Sequence, residues 1–289
     1  MIYVICGPTA SGKSTLAYKL KKFFDCPVIN CDSFQIYKEL NIGTAKPTSD
    51  ELKEGNYYLY NLISASSSMS IFDFQKIFRT TIDDLLKTNK NIVVVGGSGL
   101  YIKSAFYDYK FVEDEQFVKL PESFEKMNNH ELYLHLQKID EGSAVKLHEN
   151  NRKRVMRAIE ISLSSTGKKS EFEEKQKHVC LYKDTMFIGL DINREDLYKK
   201  INDRVDEMFS LGLEAEAKDL FKEFGPDAQA LQAIGYKEFY KYNAEEVKDK
   251  IKQFSRNYAK RQMTFFKNQF AEIKWFSSID EAYSFCINQ

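Results

Sequence analysis

Gly7-Pro8-Thr9-Ala10-Ser11-Gly12-Lys13-Ser14 follows the apolar run 2–6 and precedes the helix-like segment 15–20. This octapeptide has the pattern G-x-x-x-x-G-K-S in its usual context of strand, loop and helix start, which defines a phosphate-binding loop (P-loop). Its glycines let backbone N–H groups converge on phosphate oxygens, and the helix N-terminus adds its positive dipole end. Lys13 supplies a charge for the terminal phosphate, and the Ser14 hydroxyl is a ligand for Mg²⁺. We therefore expect Gly7–Ser14 to bind a di- or triphosphate.

Composition limits the class of protein. The chain has 289 residues, of which 43% are apolar, so it can build one large or two modest cores. Its formal net charge is zero, and attraction to a polyanion must therefore come from local patches. The five cysteines form no C-x-x-C and the histidines show no zinc-ligand spacing. This cysteine pattern predicts reduced thiols in a cytoplasmic protein. We also expect no membrane span, because no run approaches the roughly 20 apolar residues that a span needs.

The first hundred residues alternate between apolar strands and helical segments. Strands are predicted at 2–6, 27–31 and 91–95, and a fourth strand is predicted at 187–192. Continuous apolar strands separated by helices indicate a parallel sheet covered on both faces. The predicted fold class is α/β, with a P-loop NTPase-like, doubly wound parallel sheet as the core. Ligands of such sheets lie beyond the carboxyl ends of the strands.

A change of character marks a second domain. Residues 113–185 read as polar helical segments without a strong strand, so a helical insert is predicted there, with 1–112 plus 186–289 as the catalytic core. Within 151–183 there are nine Lys or Arg against four Glu, a net charge of +5. A final long helix is predicted at about 245–270, and 248–274 has a net charge of +6. Each block is a solvated helix surface or an RNA-binding patch, and the two together favour RNA.

Asp32 is the first candidate for chemistry. It begins the stretch Asp32-Ser33-Phe34-Gln35-Ile36-Tyr37 at the predicted end of the second strand. At that place an Asp can bind Mg²⁺, act as a general base or simply cap a helix. Gln35 and the following 44–46 add hydrogen-bonding groups, which favours a chemical role over a cap.

Several motifs together resemble one family. Eight segments resemble motifs of the tRNA dimethylallyltransferase family, and they follow one another in the family's order across nearly the whole chain. They are Gly7–Ser14, Asp32–Tyr37, Ile42–Pro47, Gly96–Tyr101, Arg152–Glu160, Arg204–Leu213, Ala233–Phe239 and Arg256–Thr264. The resemblance implies transfer of a dimethylallyl group from dimethylallyl pyrophosphate to the exocyclic amine of the adenosine just 3′ of the tRNA anticodon, with release of pyrophosphate. The partners it implies are that donor and the tRNA anticodon stem-loop, and we expect a monomer.

The resemblance also implies catalytic roles. Adenine's exocyclic amine is a poor nucleophile, and Asp32 matches the carboxylate that takes its proton. Arg204 matches a pyrophosphate-binding arginine, although it lies beside an apolar helical stripe and a solvated charge is the alternative. With Lys13 and Mg²⁺ near Ser14 it would stabilise the leaving group. The hydroxyl groups of Thr9 and Ser11 contact the diphosphate or position the allyl carbon.

The resemblance also implies which residues contact the tRNA. The base must be extruded into a pocket, since an enzyme that acts on a stacked base cannot otherwise reach it. The residues that match tRNA-contacting positions are Asp32, Ser33, Phe34, Gln35, Ser98, Lys153, Arg154, Val155, Met156, Arg157, Gln232, Ala233, Ile234, Gly235, Tyr236 and Lys237. Ser98 stands where the family usually has Thr, but it keeps the hydroxyl.

Two other classes use some of the same residues. A small-molecule P-loop kinase would employ Lys13 and Ser14 with ATP, but would not need basic blocks of this size. A non-catalytic RNA-binding module with a vestigial P-loop is disfavoured because Lys13, Ser14, Asp32 and Arg204 are all present.

Overall fold

A parallel sheet organises the protein in the computed structural model, which describes residues 1–111, 120–164, 168–174 and 178–289. The strand order is β3-β2-β4-β1-β5-β6, and every neighbouring pair is parallel. The strands are β1 (Ile2–Cys6), β2 (Val28–Asn30), β3 (Tyr57–Tyr58), β4 (Ile92–Val95), β5 (Thr185–Leu190) and β6 (Lys274–Phe276). The predicted α/β, P-loop-like class is confirmed.

The central strands are apolar because helices cover them. Every residue of β1 and β4 is buried, as a parallel sheet between two helical layers requires. The helices of the sheet-containing unit are α1 (Lys13–Phe24), α2 (Ser49–Lys53), α3 (Ile71–Leu86), α4 (Gly99–Phe106), α10 (Arg194–Ser210), α11 (Leu213–Phe224), α12 (Lys237–Lys241), α13 (Ala244–Gln269) and α14 (Ile279–Ile287). None of the helices in the described ranges has both the length and the apolar character needed to cross a bilayer.

The chain divides into two units. One comprises Met1–Ala105 and Tyr182–Gln289, and the other is the insert, Phe106–Leu181. The division lies a few residues before the predicted 112/113 and 185/186 boundaries. The reason is that the two chain segments at the base of the insert pair with each other: the Leu181 N–H donates to Phe106 O (2.8 Å), and Tyr107 and Cys180 form an antiparallel bridge.

The insert is helical in its described part. Its helices are α5 (Glu122–Lys126), α6 (Asn129–Ile139), α7 (Glu141–Lys146), α8 (Arg152–Leu163) and α9 (Lys169–Glu174). Asp140 is fully buried and accepts hydrogen bonds from the hydroxyl groups of Ser143 (2.6 Å), Ser170 (2.5 Å) and Ser162 (3.2 Å). Burial alone would raise the pKa of Asp140, but the bonds from Ser143 and Ser170 lower it to about 2. This carboxylate therefore has a structural role, because it connects three helices of the insert through hydrogen bonds.

The long basic helix is not the last element. α13 runs from Ala244 to Gln269, close to the predicted 245–270, but β6 and α14 follow it. α14 buries Ala282 and Cys286 in the cluster that contains Leu16 and Leu20 of α1. The C-terminal segment thus supports the helix that begins at the P-loop. The fourth predicted strand, 187–192, is observed as Thr185–Leu190.

Candidate active site

The P-loop joins β1 to α1. Gly12 precedes the first residue of α1 and has a φ of 94°, a left-handed conformation that suits glycine. The first N–H groups of α1 have no acceptor within the helix, so they are available to an anion. Ser11 is different, because its hydroxyl is buried and has no hydrogen-bond partner among the described residues. It does not line the cavity described below, so its predicted contact with diphosphate stays a prediction.

Lys13 lies inside the loop. Its Nζ donates to the Pro8 carbonyl oxygen over 2.5 Å. Burial first, and then the positive charge of Arg204, lower the pKa of Lys13 to about 8, while the charge of Asp32 acts in the opposite direction. A buried ammonium group next to another cation is stabilised by an added anion. Lys13 is therefore suited to respond to a diphosphate.

This pKa predicts how anion affinity depends on pH. A bound diphosphate stabilises protonated Lys13, so binding takes up a proton when the free protein has lost it. The affinity for inorganic pyrophosphate should therefore be retained below pH 8 and fall above it, approaching about tenfold per pH unit. Isothermal titration calorimetry from pH 7 to pH 9.5 measures this fall.

The matched control is Lys13→Arg, since arginine stays charged over this range. Both proteins experience the same protonation of the ligand, so the difference between their profiles isolates Lys13. Parallel profiles would remove Lys13 as the group that titrates.

Arg204 comes from the middle of α10, and its guanidinium group reaches the P-loop. Its Nη1 donates to the Thr9 hydroxyl (3.4 Å) and its Nη2 donates to the Thr44 carbonyl oxygen (3.5 Å). Burial lowers the pKa of the Arg204 guanidinium, while Asp32 and Glu207 act in the opposite direction. Arg204 is thus a partly buried cation beside the P-loop rather than a solvated surface charge.

Asp32 follows β2 and has two distinct oxygens. Oδ1 accepts the Phe34 N–H over 2.9 Å and so stabilises a local turn. No helix begins at this point of the described chain, so Asp32 is not the helix cap that was one alternative. Oδ2 accepts no hydrogen bond from the described residues and lies near the backbone of Gly97. Asp32 also lines the cavity that is described next. One of its oxygens therefore builds the turn, and the other is available to a ligand in that cavity.

One cavity collects these groups. It has a volume of about 290 Å³, within the sheet-containing unit, at the carboxyl ends of the strands. The predicted site residues that line it are Thr9, Lys13, Ser14, Asp32, Phe34, Gln35, Arg204, Gln232, Ala233, Ile234, Gly235 and Lys237. The remaining P-loop residues, Ser33, Ser98 and Tyr236 do not line it. The four residues predicted to be catalytic, namely Lys13, Arg204, Thr9 and Asp32, therefore face a common space.

Gln35 holds the wall that approaches Arg204. Its Nε2 donates to the carbonyl oxygens of Thr44 (3.0 Å) and Ala45 (3.3 Å). Lys46 supports the same loop from inside: its buried Nζ donates to Tyr37 O (2.9 Å), and burial lowers its pKa to about 8. Lys46 is therefore a structural lysine.

The segment 232–237, apart from Tyr236, also lines the cavity. Tyr236 is fully buried, and its hydroxyl donates to Glu216 (2.6 Å) and accepts the Gly43 N–H (3.1 Å). Glu216 also accepts the Ile42 N–H over 3.0 Å. Burial first, and then the charge of Glu216, raise the pKa of Tyr236. Tyr236 thus joins the two loops, and the RNA contacts predicted for it and its neighbours stay predictions.

Ser98 is bonded within the protein. Its hydroxyl accepts the Ser33 N–H over 3.1 Å and lies 3.2 Å from the Ser33 hydroxyl. The Tyr258 hydroxyl also interacts with Ser98, and burial raises the pKa of that tyrosine. Ser98 therefore fixes the turn that begins at Asp32, while its predicted contact with RNA stays a prediction.

Helix α8 of the insert places its predicted RNA-binding residues on different sides. Lys153, Arg154 and Arg157 are exposed, and Arg157 pairs with Glu160 (3.1 Å). Val155 is fully buried in the core of the insert, and Met156 packs against that core. Val155 is thus a core residue whose side chain does not reach the surface, because apolar residues at this helical spacing fill the interior.

Much of the charge counted in the two basic blocks is neutralised or used internally. Lys248 and Lys252 of α13 both pair with Asp206 of α10, at 2.5 and 2.8 Å, and Lys267 pairs with Asp191 at 2.7 Å. In the insert, the Arg152 guanidinium donates to the Met127 carbonyl oxygen over 2.6 Å. Lys175 and Lys177, which were also counted, lie outside the described residues. The net charges of these blocks therefore overstate the surface available to RNA.

Gln262 and Tyr258, both on α13, are cavity residues that sequence reasoning missed. The Gln262 Oε1 accepts the Thr9 N–H over 2.9 Å, and its Nε2 donates to Gly97 O over 2.8 Å. The motif 256–264 was visible, but no local pattern shows which of its side chains faces a loop more than 160 residues away. A polar residue on the apolar face of an amphipathic helix is the only signal that the sequence offers.

A magnesium ion would find few protein ligands here. The described residues contain no group of three or more His, Cys, Asp or Glu arranged to hold a metal. Ser14 and Asp32 do line one cavity, and Mg²⁺ in phosphate-binding sites commonly uses one or two protein oxygens with phosphate and water supplying the rest. The residues therefore fit an ion that enters with a phosphorylated substrate.

The fold and the cavity together define an enzyme of the P-loop type that acts on a phosphorylated substrate. The family described as IPP transferase matches residues 35–269. The tRNA dimethylallyltransferase of Bacillus cytotoxicus is 42% identical over 289 residues, covering 96% of this chain and 90% of the relative. This chain belongs to the IPP transferase family.

Solved structures agree with this assignment. The tRNA delta(2)-isopentenylpyrophosphate transferase of Staphylococcus epidermidis has a TM-score of 0.72 and 36% identity, covering 100% of this chain and 98% of that one. A eukaryotic dimethylallyltransferase acting on tRNA has a TM-score of 0.83 and 28% identity, covering 96% of this chain and 73% of that one. These relatives support the transferase interpretation, and they support neither the small-molecule kinase nor the non-catalytic module.

Proposed function

We propose that this protein transfers the dimethylallyl group of dimethylallyl pyrophosphate to the exocyclic N6 amine of the adenosine 3′-adjacent to the anticodon of tRNA. The C1–O bond of the donor breaks, its electron pair leaves with pyrophosphate, and a bond forms between N6 and C1. The amine proton passes to a carboxylate. The relatives at about 40% identity are named tRNA dimethylallyltransferase, which supports this class of reaction.

The observation that carries the proposal is the common cavity. Lys13, Arg204 and Asp32 all line it, and the Asp32 Oδ2 accepts no hydrogen bond from the described residues. A diphosphate leaving group needs cations, and an attacking amine needs an acceptor for its proton. A phosphate-binding loop without such a carboxylate would serve many other reactions, so the combination is what favours group transfer to an amine.

On the donor side, charge develops on the bridging and terminal oxygens as the C1–O bond breaks. Lys13, the first N–H groups of α1 and the Arg204 guanidinium are already directed there, so they need little reorganisation. The Thr9 hydroxyl, which accepts from Arg204 in the free protein, can turn to the diphosphate. Ser14 would hold Mg²⁺ together with diphosphate oxygens, and the bound ion would supply further neutralisation of the leaving group.

On the RNA side, the adenine must leave its stack and enter the cavity. Phe34 and the 232–237 segment line its walls, and Gln35 fixes the neighbouring loop. Lys153 and Arg154 of the insert are exposed and available to phosphates of the anticodon stem-loop, whereas the exposed Arg157 pairs with Glu160. We propose that the enzyme works in the cytoplasm, where tRNA is modified.

The direct test incubates the purified protein with dimethylallyl pyrophosphate labelled in the prenyl group and with unmodified tRNA. Label should appear in RNA in amounts equal to the pyrophosphate released, and nucleoside analysis should place it on the adenosine next to the anticodon. A tRNA with guanosine at that position is the matched control and should stay unlabelled. Release of pyrophosphate without label in RNA, or transfer of phosphate from ATP, would contradict the proposal.

A further inference from the structure

Gln262 lies at the centre of the site, and both ends of its amide are engaged. The side chain comes from α13 and is 5% exposed. Its Oε1 accepts the Thr9 N–H of the P-loop over 2.9 Å, and its Nε2 donates to the Gly97 carbonyl oxygen after β4 over 2.8 Å. One amide therefore bridges two loops that belong to different strands.

Each loop carries one half of the proposed chemistry. On one side, Thr9 belongs to the phosphate cradle, and its hydroxyl accepts from Arg204 over 3.4 Å. On the other side, Gly97 lies against Asp32, since a Cβ built on Gly97 would be 3.7 Å from the Asp32 Oδ2. Gln262 is thus the direct hydrogen-bonded connection between the wall that holds the leaving group and the wall that holds the carboxylate.

The contact on the Gly97 side is close. A Cβ at this position would lie 2.4 Å from the Gln262 Nε2, a distance that real Cβ contacts do not show. Glycine at position 97 therefore allows the amide to approach the backbone. The hydrogen bond thus depends on the absence of a side chain at position 97.

The chemistry of an amide explains why a polar residue is buried here. Gln262 accepts from an N–H and donates to a C=O at the same time, which neither an apolar side chain nor a carboxylate can do. A leucine would leave both backbone groups unpaired, and a glutamate would set an acceptor against the Gly97 carbonyl oxygen. Because Thr9 donates to Gln262, this N–H is directed away from the phosphate, and the cradle must use the N–H groups at the start of α1.

We propose that Gln262 is a positioning residue that fixes the separation between the diphosphate cradle and Asp32. This inference rests on the proposed function. The residue acts through Thr9 and Gly97, and it sets the distance between the donor carbon and the amine that Asp32 deprotonates. Small changes of that distance have large effects on rate, since a misplacement of about 1 Å can cost roughly 10²-fold.

The first experiment compares kcat and both KM values for Gln262→Leu and Gln262→Glu. Each variant should lower kcat by roughly tenfold to a hundredfold, with KM for dimethylallyl pyrophosphate and tRNA changed by less than about threefold. Thr264→Ala is the matched control, because Thr264 is exposed on the same helix and its hydroxyl donates to the Lys260 carbonyl oxygen over 3.0 Å, with no other partner among the described residues. Its kcat should stay that of the wild type.

The second experiment is a double-mutant cycle. Gly97→Ala alone should lower kcat because its methyl group collides with the amide. Combined with Gln262→Ala, which removes that amide, it should cost much less than it does alone. Equal losses in both backgrounds would overturn the proposal. A residue that only stabilises the fold would lower the melting temperature and the active fraction, while kcat per active site stayed unchanged.

The outcomes separate this inference from the function on which it rests. A wild-type enzyme that transfers no prenyl group overturns both. An active wild type whose kcat survives both Gln262 substitutions overturns the positioning role alone. An active wild type with low kcat in the variants, normal KM values and a non-additive cycle supports the role.

Discussion

Asp32→Asn is expected to lower kcat for prenyl transfer by roughly 10²-fold or more, because the variant loses the carboxylate that takes the amine proton. Asparagine is the informative replacement. Its side-chain oxygen can still accept the Phe34 N–H, so the turn that Oδ1 now stabilises is kept. The affinity for tRNA should stay within about threefold of the wild type, since the loss concerns the proton transfer. Single-turnover rates with labelled donor and filter binding of tRNA measure the two quantities.

Asp191→Asn is the matched control for this substitution. Asp191 also follows a strand of the sheet, β5, but it pairs with Lys267 at 2.7 Å and does not line the cavity. Its kcat should remain near that of the wild type. If Asp32→Asn transferred the prenyl group at the wild-type rate, Asp32 would serve only the turn and another group would accept the proton. Asp32→Ala, which loses the turn as well, should be no more active than Asp32→Asn.

The parts of the fold that were predictable are those written in local patterns. β1 and the P-loop combine a continuous apolar run with a fixed spacing of glycines, and each part constrains the next. The two edge strands were missed for a physical reason. β3 has two residues and β6 has three, and β6 begins with the charged Lys274. Segments this short have no periodicity, and their place is set by neighbouring strands.

The residues of the site also differ in whether a local sequence pattern identifies them. Lys13, Asp32 and Arg204 were identified because each belongs to a motif, and the structure brings all three to one cavity. Gln262 and Glu216 were not identified, because their roles depend on partners more than 160 residues away. Their contacts exist only after the chain has folded, and a single sequence does not encode them locally.

Charge counting shows a further limit. The block 248–274 was interpreted as an RNA-binding patch from its net charge. Composition does not say where counter-charges come from, and the single carboxylate of Asp206 in α10 pairs with both Lys248 and Lys252 of α13. The exposed part of such a helix carries less charge than its sequence. Predictions of RNA contact are therefore better based on exposed cations such as Lys153 and Arg154 than on net charge.

Arg204→Ala is expected to lower kcat/KM for dimethylallyl pyrophosphate by about 10²-fold, the loss that follows when one charged donor to a developing anion is removed. The reason lies in the position of the guanidinium, which donates to Thr9 and Thr44 beside the P-loop and lines the cavity. Arg204→Lys should recover part of the rate, because the charge is kept while the planar fork is lost. Steady-state kinetics with the donor varied at saturating tRNA measure both.

Arg194→Ala is the control on the same helix, since Arg194 is exposed at the start of α10 and its guanidinium lies over the Tyr198 ring. Its kinetics should match the wild type. The loss in Arg204→Ala should be the same for every tRNA substrate and should appear as weaker use of the donor. Unchanged affinity for inorganic pyrophosphate, together with a loss that depends on the tRNA, would place Arg204 on the RNA side of the cavity and reverse its assigned role.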